Sequence, residues 1–246
     1  MSSLALALVV GFLVCQLATL ATTVYLHRTL SHRAITMRPW LVAVFRPILW
    51  ITTGIRPREW VAVHRKHHAY TDVDGDPHSP KLLGWPAVQF GNIGLYRTVA
   101  NDPQQVRRYA RDLPQDRWDR VLFDRAWLGL AIGITFLVVV FGPLVGLLAA
   151  AIHAGMYLGL NAAVNAITHT FGKQPYDNTA TNLQSLALLT LGEGLHNNHH
   201  AAPTSAKFSL KKGEIDLAWP LIATWSRLGW VTIRHEDAKL KQPAGV

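Results

Sequence analysis

The sequence predicts an all-α, polytopic membrane protein with about three transmembrane helices, interfacial helices and a cytoplasmic helical cap. Three observations point there. Half of the 246 residues are hydrophobic and only 16% are charged, a balance unusual for a water-soluble domain of this size. Leu4 to Leu26 contains no charged residue, and no Asp, Glu, Lys or Arg occurs between Arg125 and Lys173. Nine of the twelve histidines fall in four places, 27/32, 64/67/68, 169 and 196/199/200. If those nine form one site, all four places must face the same side of the membrane, which limits the stretches that can cross.

Taken in order, Leu4 to Leu26 reads as a retained helix, because Met1-Ser2-Ser3 carries no Lys or Arg and no small-residue cleavage site follows before His27. Cys15, the single cysteine, lies inside it, so there is no disulfide framework or thiolate cluster. A basic segment from His27 to Arg38 precedes the apolar stretch Trp40 to Ile55. That stretch is short and carries Arg46 and Pro47 in its middle, which suits an interfacial helix with a snorkelling arginine. Beyond the polar segment Arg56 to Arg125, the uncharged run is long enough for two spans of about 20 residues. It is expected to turn near Gly142-Pro143 and bring His169 back to the starting side. Leu183 to Leu195 is too short to cross, and Trp219, Trp225 and Trp230 suit a helix lying at the interface. With no internal repeat or low-complexity linker, residues 1–246 read as one domain.

This order puts the N-terminus outside and the histidines in the cytoplasm, together with Arg28, Arg33, Arg38, Arg56, Arg58, Arg65 and Lys66, as the positive-inside rule expects. The plasma (inner) membrane is the expected location. The net charge of +9 fits an anionic lipid surface. Nucleic acid is not an expected partner, because Lys and Arg are spread along the polar segments without a binding motif.

Eight of the twelve histidines sit in three windows, HRTLSH (27–32), HRKHH (64–68) and HNNHH (196–200); uniform scattering would put fewer than one there. Residues at i, i+3 and i+4 share a helix face, so His64, His67 and His68 can converge, and His196, His199 and His200 repeat the pattern. His27 and His32, five apart, diverge on an ideal helix, so the helix is expected to end or loosen between them. Asn161, Asn165 and His169 recur every four residues. Nine imidazoles exceed the three or four ligands of one tetrahedral zinc and suit two metals, though imidazole accepts Zn, Cu, Fe and Ni alike. His153 lies about 24 Å from His169 along a helix and is predicted to be a hydrogen-bonded intramembrane residue. Asp72-Val73-Asp74-Gly75-Asp76 has calcium-loop spacing, but its glycine is out of register and no Glu follows at the required distance, so a turn is predicted. Ligating histidines donate their second N–H to a partner, and Glu59, Asp76 and Glu193 are the candidate acids.

HRTLSH, EWVAVHRKHHAYTDVDGDPHSP, NAITHTFG and GEGLHNNHHAAP, in that order, resemble the integral-membrane fatty acyl desaturases, particularly the stearoyl-CoA desaturase-like branch, over His27 to about Trp219. The resemblance implies a mushroom-like helical fold with a cytoplasmic cap over a di-iron centre. By it, His27, His32, His64, His67, His68, His169, His196, His199 and His200 would be iron ligands. Asn165 would hold a water beside one iron, and His78 would stand near the substrate. Members of this family usually have a further helix before the one ending at the first box; lipid, a partner or an oligomer is expected to cover that flank. Gly54, Ile55 and Ala62 stand where the family uses polar and basic residues to hold a coenzyme A headgroup, which leaves open whether the acyl carrier is CoA, a carrier protein or lipid. Arg97 is a candidate headgroup contact.

The reaction so implied is O2-dependent desaturation of a fatty acyl chain, with two Fe2+ ions as cofactors and O2 as co-substrate. The chain has no HPGG, no GxGxxG and no cysteine cluster, so the electrons are expected from a separate ferredoxin or flavoprotein reductase. The alternatives are a membrane di-iron hydroxylase using the same boxes, and a non-enzymatic metal-binding or transport protein.

Overall fold

A computed structural model describes residues 2–235 and 238–240. Helix α1 (Ser3–Leu20) continues without a break into a π-helical segment, Ala21–Ser31. Strand β1 (Ile35–Met37) leads into α2 (Pro39–Thr53) and α3 (Pro57–Ala69), both of which begin on a proline, where the missing N–H costs nothing. Next come α4 (Pro80–Leu83), α5 (Trp85–Ala100), α6 (Pro103–Tyr109) and a short π turn at Asp119–Phe123. The apolar run forms α7 (Ala126–Phe141) and α8 (Pro143–Ala166). The chain ends in α9 (Gln184–Leu189), α10 (His196–Ala201), α11 (Ala218–Arg227) and β2 (Val231–Ile233).

The turn at Gly142-Pro143 falls between α7 and α8 as expected: Gly142 takes φ +80°, open to a residue without Cβ, and Pro143 starts the next helix. Two helices are long and apolar enough to cross a membrane, Ser3–Ser31 and Pro143–Ala166. At 16 residues α7 is about 24 Å long, short of the roughly 30 Å hydrocarbon core. Its outward face is apolar, with Trp127, Phe136 and Val139 exposed beside Leu13 of α1 and Leu144 of α8. At 15 residues α2 is shorter still. The expected snorkelling of Arg46 is replaced by an ion-paired arrangement: its guanidinium meets Asp116 at 2.6 Å and Asp119 at 2.6 Å and lies over the Phe123 ring.

The cap core joins the π segment, β1, α2, α11 and β2 through buried Val24, Leu26, Ile35, Phe45, Leu49, Ile222 and Val231, each worth roughly 1.5–3 kcal/mol when fully buried. The tail tryptophans take part: Trp225 packs edge-on to Phe45, and Trp230 to Trp40. β1 and β2 pair antiparallel, Thr36 opposite Thr232, tying the C-terminal region to the end of the first helix.

Candidate metal centre

The π winding answers the five-residue spacing of the first box. Hydrogen bonds there run from residue i+5 to residue i, as His32 N–H to His27 C=O at 3.1 Å, so residues five apart stand one turn apart. The rings of His27 and His32 lie 4.9 Å apart, centre to centre, on one face. The expected loosening is therefore a change of helical winding, and the helix ends only after His32 has been delivered.

All nine predicted histidines meet at one end of the molecule, in two groups. His27, His32, His64, His68 and His199 form one; His67, His169, His196 and His200 form the other. Within each group the available nitrogens lie within 4.8 Å of one another. The i, i+3, i+4 boxes thus do not each serve one site. On α3, His64 and His68 turn to the first group and His67 to the second; on α10, His196 and His200 turn to the second and His199 to the first. Four residues span about 400° of helical rotation and three about 300°, so the pair at i and i+4 stays together while the third residue splays to the other side. The two helices cross-brace both groups, and the rings of His68 and His200 stack at 4.3 Å.

Three carboxylates fix ring orientation. Glu193 accepts from Nδ1 of His27 at 2.8 Å, Asp76 from Nδ1 of His67 at 3.0 Å and Asp72 from Nδ1 of His169 at 2.7 Å. Each leaves Nε2 facing inward with its lone pair free. Burial works to raise these carboxyls, but the facing imidazoles, joined for Glu193 by Arg28, outweigh it and hold all three below the usual range. Asp76 also accepts the backbone N–H groups of Asp72 and His78. The predicted turn at 72–76 is thus also a clamp, and Asp72 was missed as a partner of His169. The signal lay in the chain: with only 15 acids in 246 residues, two spaced four apart just after a histidine box merited that reading.

Glu59 is corrected. Its carboxylate pairs with Arg56, one turn back on α3, at 2.9 Å, and so is taken up by a local pair away from the imidazoles. Arg97 lies exposed on α5, outside the wall of the cavity, which Asn92 and Tyr96 of the same helix line. Arg28, inside the first box, was missed. It is 1% exposed, bonds Asp216 at 2.9 Å, the Ala206 carbonyl and Thr23, and approaches Glu193 to 3.6 Å.

A cavity of about 90 Å³ touches both groups, with His27 and His64 from the first and His196 from the second in its wall. His78, Asn165 and Glu193 also line it. His78 stacks on His67 at 4.7 Å, and burial, then the neighbouring His67, pushes its imidazole down to about 3. His153 lies away from both groups and bonds the Thr52 carbonyl at 2.6 Å, as predicted.

The donor set fits metal. Burial, then neighbouring imidazoles, holds His64, His68, His196, His199 and His200 well below the ordinary imidazole range, leaving neutral rings with lone pairs to offer. Nε2 atoms face each other at 2.7 Å (His32–His64), 2.9 Å (His68–His199), 3.0 Å (His27–His199) and 3.1 Å (His196–His200). Two ligands at right angles on one ion with bonds of about 2.1 Å stand roughly 3.0 Å apart, and opposite ligands about 4.2 Å. His67 Nε2 and His169 Nε2 are buried with no hydrogen-bond partner, an expensive state that a bound cation relieves.

Residues 3–221 match the family described as Fatty acid desaturase. The chain is 32% identical to "Delta-9 desaturase-like 1 protein" of Arabidopsis thaliana, covering 97% of this chain and 78% of that one. It is 30% identical to "Delta-9 acyl-lipid desaturase 1" of the same plant (95% and 75%), and 31% identical to "sn-1 stearoyl-lipid 9-desaturase" of Synechocystis sp. (84% and 64%). A match over most of the chain, joined to paired groups of buried imidazoles at one end of a helical, apolar molecule, places this protein among the fatty acid desaturases, and it belongs to that family of oxidoreductases.

Proposed function

We propose that this fatty acid desaturase works with two irons, one in each imidazole group, and places a double bond at the 9 position of an acyl chain carried on a membrane lipid. The observation that carries the reading is the pair of imidazole groups sharing one cavity wall. The lipid carrier is supported by two relatives named as acyl-lipid and stearoyl-lipid desaturases and by apolar Ile55 and Ala62 where a coenzyme A headgroup would need polar partners.

When bound and reduced, the two irons supply the oxidant: acyl chain, O2, two electrons and two protons give the alkene and two waters. The protein's own part is positional. Glu193, Asp76 and Asp72 hold three imidazoles with their lone pairs inward; the buried neutral rings complete both sets. Asn165 sits in the cavity wall where its amide would hold a water beside the second group, and His78 stands where it would meet the substrate. Electrons would come from a ferredoxin or flavoprotein reductase docking on the basic face of a chain with net charge +9.

In the membrane, α1 with its π extension, α7 and α8 would be the three spans. The N-terminus would lie outside, with the histidine cap in the cytoplasm and the plasma membrane as the host. Support comes from all nine histidines gathering in two neighbouring groups and from Arg33, Arg38, Arg56, Arg58 and Lys66 lying in the same segments of the sequence as the first two histidine boxes or beside them.

Expression of the chain with a reductase system, followed by fatty acid profiling of separated lipid classes, tests the reading. Wild type should yield 9-unsaturated chains on lipid, and His199→Ala should yield none. Equal products from the two would reject the ligand assignment. A gain of one oxygen without a double bond would reject desaturation at this site.

A further inference from the structure

The two imidazole groups differ in how near they come to the surface. His67, His169, His196 and His200 are all buried. In the other group His32 and His68 are only half-buried. Among the described residues, the imidazoles of the two groups that stand in the cavity wall are His27, His64 and His196, so the exposed parts of His32 and His68 open elsewhere. His32 directly follows the π segment and His68 is the last residue but one of α3, which puts both at the ends of their elements. The five-imidazole group is thus the one within reach from outside, and the stacked rings of His68 and His200 join it to the buried group.

The same ends carry a basic face. Arg65 of α3 donates to the carbonyls of Leu30 at 2.8 Å, Ser31 at 2.9 Å and Tyr109 at 2.9 Å. It also meets Asp112 at 2.5 Å, as does Arg33. The end of α6 and residues 110–112 are therefore fastened against the ends of the first and second histidine boxes. Arg107, Arg108 and Arg111 of that stretch are exposed, and the Arg33 side chain beside them is 60% exposed. Asp112 is the single acid of residues 103–112, and Arg65 and Arg33 already occupy it. Among the described residues, no large apolar side chain between Ile93 and Trp118 is exposed. A helix lying on a membrane shows apolar groups beside its cations. This face offers charge alone, which suits a soluble acidic protein.

We propose that Arg33, Arg107, Arg108 and Arg111 form the docking face for an acidic one-electron carrier protein, whose electrons enter at the five-imidazole group past His32 and His68. The proposal rests on the two-iron reading above. Each docking oxidises the carrier by one electron and reduces the metal pair by one, so two dockings serve one turnover. Because the carrier's face is not the cavity wall, the carrier can come and go while an acyl chain stays in place.

The test is binding of a purified iron–sulfur ferredoxin of net negative charge to iron-loaded protein in detergent, read by surface plasmon resonance over a range of salt. Wild-type association should slow as salt rises, because steering between opposite charges is screened. The triple variant Arg107→Glu, Arg108→Glu, Arg111→Glu should associate about tenfold or more slowly at low salt. The gap should close near about 1 M salt, where the Debye length is roughly 3 Å. Iron content should match wild type, and reduction by dithionite should keep its rate, while ferredoxin-supported turnover shows a raised KM for ferredoxin with kcat in place. The same three arginines changed to Gln should shift association in the same direction by a smaller factor, and they carry the comparison if the Glu variant does not accumulate. Lys211→Glu with Lys212→Glu reverses another exposed basic stretch and should leave association unaltered. Wild-type association in the arginine variants, or a loss seen in the lysine variant instead, would overturn the docking face. Fewer phosphatidylglycerol molecules retained by the arginine variant, with ferredoxin association unchanged, would make the face a lipid contact and overturn it equally. Protein that holds no iron would overturn the two-iron reading instead, and the salt-dependent association would still report on the face.

Discussion

Replacing Asp72 by Asn keeps the side chain's shape and removes its charge, which isolates what the carboxylate does for His169. Asp72 accepts from Nδ1 of His169 at 2.7 Å and from the Ser79 hydroxyl at 2.7 Å. An amide still offers one oxygen, so the ring stays oriented, but a charge-assisted hydrogen bond becomes a neutral one. Bonds of the first kind contribute about 1.5–3 kcal/mol and of the second about 0.5–1.5. The loss is then roughly 1–2 kcal/mol, or about 5- to 30-fold in metal affinity at 1.4 kcal/mol per tenfold, within the range usual for partners of ligating histidines. Because His169 belongs to the four-imidazole group alone, only one of two bound metals should weaken. Anaerobic titration of metal-depleted protein with Fe2+ in a competing chelator would show one binding phase displaced and the other in place. Both phases moving together, or neither, would refute the assignment of Asp72 to one site.

Glu193→Gln should give the mirror image, displacing the phase of the five-imidazole group through His27, and a shift of the same phase as in Asp72→Asn would contradict it. Arg28→Met strands the buried Asp216 and weakens the hold on Glu193; removing one partner of a buried pair costs about 3–5 kcal/mol, so the thermal midpoint in detergent should fall clearly, and an unchanged midpoint would argue against the pairing. In metal-free protein, His64, His68, His196, His199 and His200 titrate below the ordinary range and His78 near about 3. Between about pH 6.5 and those depressed values the unfolded chain binds more protons than the folded one, so stability should decline as pH falls through that window. A thermal midpoint flat from about pH 7 to about pH 4 would contradict the neutral, buried state of these rings.

Much of the site was legible because histidine is scarce and its spacing is local. The boxes at 64–68 and 196–200 needed only helical geometry to be read as convergent faces. Spacing could not say that each box divides between two sites, since that depends on where the opposing helices stand. His27 and His32 pointed correctly to irregular winding, but the choice of π winding over a helix end is settled by packing, with the Thr29 hydroxyl on the Val24 carbonyl five residues back as a local aid. The acids were half legible. Asp76 and Glu193 flank boxes, whereas Asp72 reaches His169 across 97 positions, and Glu59 had a nearer cation in Arg56. The turn at Gly142-Pro143 was punctuated by its own residues. The pairing of β1 with β2 was not, because three-residue strands almost 200 positions apart leave no periodic trace.

We propose two irons in this chain, one in each imidazole group. Anomalous scattering at the iron edge from crystals of the metal-loaded protein tests it most directly. Two peaks per chain are expected, one among His27, His32, His64, His68 and His199 and one among His67, His169, His196 and His200. A single peak, or metal seated elsewhere with either group empty, would contradict it.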